Sequence, residues 1–255
     1  MSEAEIIDIP TAEHWKQWKQ LITAEGWCGF DDTMLTLFPI SENVKMVVAV
    51  DSTDKSFLGS IVWAENDDLI CIDTYYVKAS SRGRGVGRKM WKRMKERLDL
   101  KKPMMLKAED NMKSKYMSEE FPCLGPAQTC VEPRKDQLLE AARRLQSPTI
   151  EKSEELRYVS IQKLNGIDLE AFYNFDRKAT GRQRRKLLDA LFKLPCVTGG
   201  VLLNELGKVV GFSMVATAIP EGTYKLAPLY AEDDNVAGRL IEEIMGEVDS
   251  GDHVI

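Results

Sequence analysis

Apolar positions along the first third of the chain change their period several times. Over residues 11–24, Trp15, Trp18, Leu21 and Ile22 share one helical face, with Thr11 placed to cap and Glu13 in the first turn, so a helix is expected. Residues 27–38 mix glycine, aspartate and aromatics and read as loop with a short helix. Three β-type runs follow at 44–50, 57–64 and 69–77, separated by turn signals at 51–54 and 66–68. So close a succession predicts an antiparallel meander. The third run is apolar on both faces apart from Asp73 and Thr74, the pattern of a strand covered on both sides. A polar loop with several glycines, 78–87, then leads into a strongly amphipathic helix. In it Val86, Met90, Met94 and Leu98 recur every four residues beside Trp91, while Arg and Lys fill most of the opposite face. Residues 103–108 read as a short strand, 112–120 as a helix stopped before Pro122, 125–134 as loop and 137–145 as helix.

The stretch 146–155 is polar and contains Pro148, which marks a domain boundary, giving domains over 1–146 and 147–255. The pattern then restarts. A strand is expected within 156–164, a helix over 169–193 broken near Gly181, a hairpin of 201–206 and 209–218 around Gly207, a strand over 224–230 and a helix over 235–245. Paired strands followed by strand, loop and helix occur in both halves. That order points to a duplicated architecture, without a clear repeat at the level of residues. The fold class is α/β (α+β): two tandem mixed-sheet domains, the second degenerate and short.

Length and composition agree with this. A chain of 255 residues suits two domains of ordinary size, and 44% hydrophobic with 29% charged residues is a globular balance. The formal net charge of -5 gives no global attraction to nucleic acid or to an anionic membrane. No apolar run approaches the roughly 18 residues of a membrane span. The acidic start (Glu3, Glu5, Asp8) is unlike a secretory or mitochondrial leader, so a cytoplasmic location is expected, with the nucleus also open. The five cysteines lack Cys-x-x-Cys spacing and only His14 and His253 accompany them, which argues against structural zinc or a disulfide framework.

The sharpest local feature is Arg82-Gly83-Arg84-Gly85-Val86-Gly87, set between a buried strand and a helix. A helix start has unpaired N–H groups and the positive end of the macrodipole, and glycines let a ligand approach the main chain. Together they make an anion site fit for a pyrophosphate, with Arg82, Arg84, Arg88 and Lys89 adding charge. The Gly-Lys-Ser/Thr of a Walker A loop is absent. A dinucleotide fingerprint would need glycine where Arg88 stands, although Glu109 lies near the place of its ribose-binding acid. Against that reading, a dinucleotide loop follows the first strand of a βαβ unit, and here the preceding strands are hairpin-linked.

Arg82-x-x-Gly85-x-Gly87, after an apolar strand ending in Val77, resembles the Gln/Arg-x-x-Gly-x-Gly/Ala loop of the GCN5-related N-acetyltransferase (GNAT) superfamily. The similarity runs over about residues 4–130. Lys78 stands where the family usually has proline, and Asn111 and Tyr116 follow the next strand as family members have them, with Glu120 in place of a glycine. The resemblance implies acetyl-CoA as co-substrate, an acetyltransferase, and an amine acceptor on a small molecule or a peptide. It implies that the amides of residues 84–87, Val86 among them, hold the CoA pyrophosphate with Arg82 and Gly83 nearby. It further implies that Tyr76 and Val77 offer backbone groups to the pantetheine and that Asn111 belongs to the same site. Tyr116 would protonate the departing thiolate.

Acetyl transfer to an amine also needs a general base. Asp73, on the buried strand where burial raises a carboxyl pKa, and Glu65, at the end of the preceding strand, are the candidates. No Cys-His or Ser-His-Asp set is visible. In the second half, Phe175-Asp176-Arg177, Gly181, Arg184 to Leu188 and Leu226-Ala227-Pro228-Leu229-Tyr230-Ala231-Glu232 resemble the second domain of tandem, YitH-like acetyltransferases of bacteria and nematodes. Ala227 and Glu232 replace that pattern's glycine and aspartate. Where the glycine loop should lie, Asp233-Asp234 stands instead, and its charge repels a pyrophosphate. Weak or absent CoA binding is therefore expected there.

Overall fold

The computed structural model describes residues 3–25, 32–108, 110–117, 121–125, 131–146, 155–218, 221–248 and 253–254. Glu109, Glu120 and the heart of the expected boundary, 147–154, lie outside the described residues. Compactness divides the chain into two units: 1–25 with 38–128, and 26–37 with 129–255.

In the first unit, β1 (Ala4–Ile7), β2 (Val44–Asp51), β3 (Phe57–Glu65), β4 (Ile70–Val77) and β5 (Met104–Leu106) form one mixed sheet in chain order. The first three pairings are antiparallel and β4–β5 is parallel. The meander is as expected; β1 was not foreseen. Glu3 just before it and Glu5 within it disguise it, and the charge belongs there because an edge strand tolerates it. Glu5 binds Lys55 (2.5 Å), Glu3 binds Lys89 (2.7 Å), and Asp8, just after β1, binds Arg93 (2.5 Å).

Helix α1 (Ala12–Glu25) begins as its sequence dictates. The Thr11 hydroxyl accepts from the His14 amide at 3.4 Å, and the Thr11 amide donates back to His14 Nδ1 at 3.1 Å, a reciprocal cap. Its Trp18 and Ile22 are fully buried, and the Trp18 indole N–H donates to Thr74 Oγ1 on β4 at 3.0 Å. The short helix α2 (Asp32–Leu37) packs in the second unit on a strand described below. Helix α3 (Val86–Lys95) buries Val86, Met90 and Met94 against Ile61, Trp63 and Ile72. Each such apolar side chain contributes about 1.5–3 kcal/mol. The four-residue rhythm runs on to buried Leu98, beyond the helix end. After β5 the described residues hold a 3-10 turn, Asp110–Met112, and one helical turn, α4 (Lys113–Tyr116); residues 118–120 of the helix expected over 112–120 lie outside the described residues.

Helix α5 (Lys135–Leu145) belongs to the second unit, not the first as a boundary at 146/147 would have it. The second unit repeats the plan. It has β6 (Arg157–Ser160), α6 (Gly166–Thr180), α7 (Arg185–Leu191), β7 (Val197–Leu203), β8 (Val209–Thr217), β9 (Thr223–Ala231), α8 (Asp234–Glu247) and β10 (His253–Val254). Its sheet order mirrors the first, with three antiparallel pairings and a parallel β9–β10. The two residues of β10 make it the shortest strand among those described. α5 sits here because it packs on α8: Ala142 is fully buried, and a Cβ on Gly238 would lie 2.5 Å from the Ala142 carbonyl. α2 sits here because Asp32 accepts from Thr217 Oγ1 of β8 (2.5 Å) and Leu37 enters the core around Phe172 and Phe212.

The two sheets agree in register as well as order. β3 and β4 pair Gly59 with Val77 and Trp63 with Ile72, leaving one extra β4 residue at Asp73. β8 and β9 pair Gly211 with Ala231, Ser213 with Leu229 and Val215 with Leu226, with the one extra residue in the pair Ala227–Pro228, which a cis bond joins. The bulges therefore fall at the same place. Gly59 and Gly211 also correspond: a Cβ on either would strike the helix packed on that face, at Met90 Cε (2.9 Å) or Val236 Cγ1 (2.6 Å).

Candidate functional site

From Val77 the chain makes one 3-10 turn, Ala79–Ser81, and then runs extended at Arg82. Gly83 (φ 75°) and Gly85 (φ 80°) both take the left-handed region, which glycine alone enters without strain. A Cβ at either would meet nothing within 4 Å, so these glycines serve the turn and face open space. Gly85 is the cap of α3 and no side chain caps that end. The first amides of α3 therefore point out of an exposed, glycine-opened start with the dipole behind them. Buried Val86 pins this start to the core.

Gly87 is different in kind. A Cβ there would overlap the Tyr75 hydroxyl, lie 3.1 Å from Tyr75 Cζ and 3.3 Å from Val77 Cγ2. Its missing side chain lets α3 settle on β4. Arg84 and Arg88 are exposed beside the loop. Arg82 turns back on the strand it follows, Nε donating to the Val77 carbonyl at 2.9 Å. Lys89, expected to add charge for phosphates, is directed to β1 through Glu3.

β5 pairs only with Ile70, Cys71 and Ile72 of β4. Past the bulge at Asp73, the β5-side edge of residues 73–77 has no strand partner among the described residues, and it leads straight to the glycine loop. Bulges commonly re-aim side chains beside active sites. Asp73 is half-buried in this one. Tyr76 is buried; burial and then the nearby Glu25 carboxylate push its phenol pKa up.

Tyr116, at the end of α4, packs at a tilt against Trp91 of α3 (5.8 Å between ring centroids), and Trp91 meets Tyr75 (5.6 Å). Burial, then the neighbouring Tyr75, raises the Tyr116 pKa to about 12, and burial raises that of Tyr75. The sequence reading missed Tyr75. The inward turn of every second residue in β4 was its one available signal. Asn111 is exposed on the 3-10 turn Asp110–Met112. Glu65 is not brought to this group: it pairs with Ile70 at the opposite end of β4 from Val77, roughly 23 Å along the strand at ~3.3 Å per residue. There its Oε1 accepts from the Trp63 indole at 2.8 Å.

In the second unit the corresponding helix start is closed. Only Glu232 and Asp233 separate β9 from α8, and Asp233 caps the helix by accepting from the Val236 amide at 2.8 Å. The charge expected to repel a diphosphate thus occupies the amides one would need. The other signatures of that half converge elsewhere. Gly181 (φ 72°) ends α6 and lets the chain return, so that both Arg184 Nε (3.2 Å) and a terminal nitrogen bind the buried Asp176 carboxylate. The guanidinium lies 5.9 Å from the centre of the Tyr230 ring. Burial works against the Arg184 charge, but its bonds to Asp176 prevail and its pKa is raised.

Residues 13–117 match the model of the acetyltransferase (GNAT) family, and residues 172–254 match a second model described as an acetyltransferase (GNAT) domain. An uncharacterised protein of Caenorhabditis elegans is 28% identical over 93% of this chain and 74% of its own length. Among solved structures, the fold is similar to a tandem GNAT protein from the clavulanic acid biosynthesis pathway. That match has a TM-score of 0.66 and 11% identity, covering 99% of this chain and 89% of the other. A putative acetyltransferase from Pyrococcus horikoshii is similar at TM-score 0.63 and 20% identity, over 98% and 78%. With a GNAT model on each half and the same sheet order in both units, the chain belongs to the GNAT superfamily as a tandem-domain member.

Proposed function

We propose that the first unit transfers an acetyl group from acetyl-CoA to an amine of a small molecule or peptide. One observation carries the reading: the open, uncapped start of α3 lies directly after a strand edge left free beyond a bulge. Gly83 and Gly85 leave the room a diphosphate needs there, so the residues present suit the co-substrate. On this reading the amides of residues 84–87 hold the diphosphate, helped by Arg82 and Arg84. The edge at Tyr76 and Val77, which no described strand covers and where Arg82 holds the Val77 carbonyl, offers its remaining backbone groups to the pantetheine, with Asn111 at the rim of the same site.

Asp73 takes the proton that the attacking amine must lose as its nitrogen bonds the acyl carbon. When the carbon–sulfur bond breaks, the electron pair stays on sulfur and Tyr116 supplies its proton. With its pKa near 12, that phenol stays protonated at neutral pH. Glu65, bound to Trp63 at the far end of the strand, has no part in this scheme.

The test is calorimetric titration with acetyl-CoA of the wild type and Gly85→Glu, followed by CoA release against a panel of amines. One molecule bound per chain, loss of binding in the variant and amine-dependent release are expected. Equal binding by both proteins would remove the site assignment; binding without release from any amine would make the chain a non-catalytic acyl-CoA binder.

A further inference from the structure

A cavity of about 590 Å³ opens in the second unit between α6 and the ends of β8 and β9, within the 300–1,000 Å³ usual for small-ligand pockets. Phe175, Leu229 and Tyr230 give it apolar walls; Lys178, Lys208 and Glu232 give it charge. Two of the sequence signatures thus line it, through Phe175 and through Leu229 to Glu232. The third, Arg184, lies over the ring of Tyr230.

Stability alone does not account for this construction. A buried carboxylate–guanidinium pair is worth little more than an apolar pair of the same volume, because both ions lose water. Asp176 is nonetheless 1% exposed and held by Arg184. What the pair supplies is a fixed position for the end of α6 and for the Tyr230 ring, which pre-organises one wall. Tyr76, at the corresponding place in the first unit, is 7% exposed, whereas Tyr230 is only half-buried and Leu229 beside it leaves 37% of its surface open. A half-open apolar wall on a rigid support is suited to a ligand.

The charges specify the ligand further. Asp176 and Arg184 cancel, and Lys208 and Glu232 bind each other at 2.6 Å. Lys178 has no ion-pair partner among the described residues, so the cavity carries one net positive charge at its rim. Arg177, on the same last turn of α6, already supplies the cation that a helix C-terminus favours.

We propose that this cavity binds a small amphiphilic monoanion, a carboxylate on an apolar body, with Lys178 facing the carboxylate and Phe175, Leu229 and Tyr230 holding the body. The site is separate from the glycine loop and does not depend on the acetyltransferase reading.

The experiment is isothermal titration of the whole chain with sodium decanoate below its micelle concentration, with decylammonium and 1-decanol as matched probes. Wild type, Lys178→Met, Ala171→Phe and Gly85→Glu are compared after circular dichroism has shown native folding. Lys178→Met keeps the apolar stem and removes the charge; Ala171→Phe fills the cavity from α6. Decanoate should bind at micromolar to millimolar concentration, at least about tenfold weaker in Lys178→Met, and not at all in Ala171→Phe. Gly85→Glu should leave this binding unchanged, decanol should bind more weakly and decylammonium should not bind. No decanoate binding in the wild type, equal binding of decylammonium, or binding that survives Ala171→Phe would each overturn the proposal. Should Ala171→Phe misfold, Leu229→Asp replaces it, removing part of the apolar wall and adding a charge that repels the carboxylate, with loss of decanoate binding expected and unchanged binding again fatal.

Discussion

Replacing Gly87 with alanine separates two reasons for a glycine in the same loop. Gly83 and Gly85 face open space, but a methyl at residue 87 would overlap the Tyr75 hydroxyl and press on Tyr75 Cζ at 3.1 Å and Val77 Cγ2 at 3.3 Å. Tyr75 leans on Trp91, so it can give way only by disturbing the core of the first unit. Overpacking of this kind costs about 1–3 kcal/mol. At ~1.4 kcal/mol per tenfold, the folded-to-unfolded ratio falls roughly five- to 150-fold. Urea unfolding followed by tryptophan fluorescence measures the effect, because Trp63 and Trp91 report on this core. Tyr75→Phe removes the overlapping oxygen and leaves contacts tight by only a few tenths of an ångström. The alanine should therefore be less damaging in the Tyr75→Phe background, with a coupling of about 1 kcal/mol or more. Acetyl-CoA binding should persist in the double variant, since this Cβ faces the protein. Additivity within about 0.5 kcal/mol would refute the reasoning.

Other consequences are as direct. Arg184→Met strands the Asp176 carboxylate and should destabilise the second unit by up to about 3–5 kcal/mol, whereas Asp176→Leu/Arg184→Met should recover most of the loss in the same denaturation assay. Asp233→Ala should cost about 0.5–2 kcal/mol through the lost cap, while calorimetry still finds one acetyl-CoA per chain. Tyr116→Phe should lower kcat by tenfold or more, toward the ~10²–10⁴ range of a lost proton donor, and leave KM for acetyl-CoA unchanged in initial-rate kinetics. The same tyrosine sets an alkaline limit. Its folded pKa of about 12 exceeds the unfolded 10.0, so its share of stability is intact below pH 10 and is lost as pH rises toward 12. Tyr116→Phe should flatten that limb of a stability–pH curve.

The sequence by itself determined the elements whose residues answer to near neighbours. The four-residue rhythm of Val86, Met90 and Met94 made α3, and the glycines at 83 and 85 opened its start. The apolar runs of β2, β3 and β4 made a meander, and Gly181 broke the long helix of the second half where expected. Each rests on spacings of two to four residues, which a linear reading resolves. Tertiary structure alone decided the rest. β1 looks polar because charges suit an edge, and only its pairing with β2 identifies it. α2 and α5 lie in the first 146 residues yet belong to the second unit, a choice made by Asp32 with Thr217 and by Ala142 with Gly238. The shared bulge register, at Asp73 in β4 and at Ala227–Pro228 in β9, arises from cross-strand pairing and leaves no trace as a residue repeat. The meeting of Asp176, Arg184 and Tyr230 depends on a chain that turns back at Gly181 and on a strand some 50 residues away. Local periodicity selects the elements, but contacts distant in sequence select their partners, and both the loop's open face and the second unit's cavity are products of those partners.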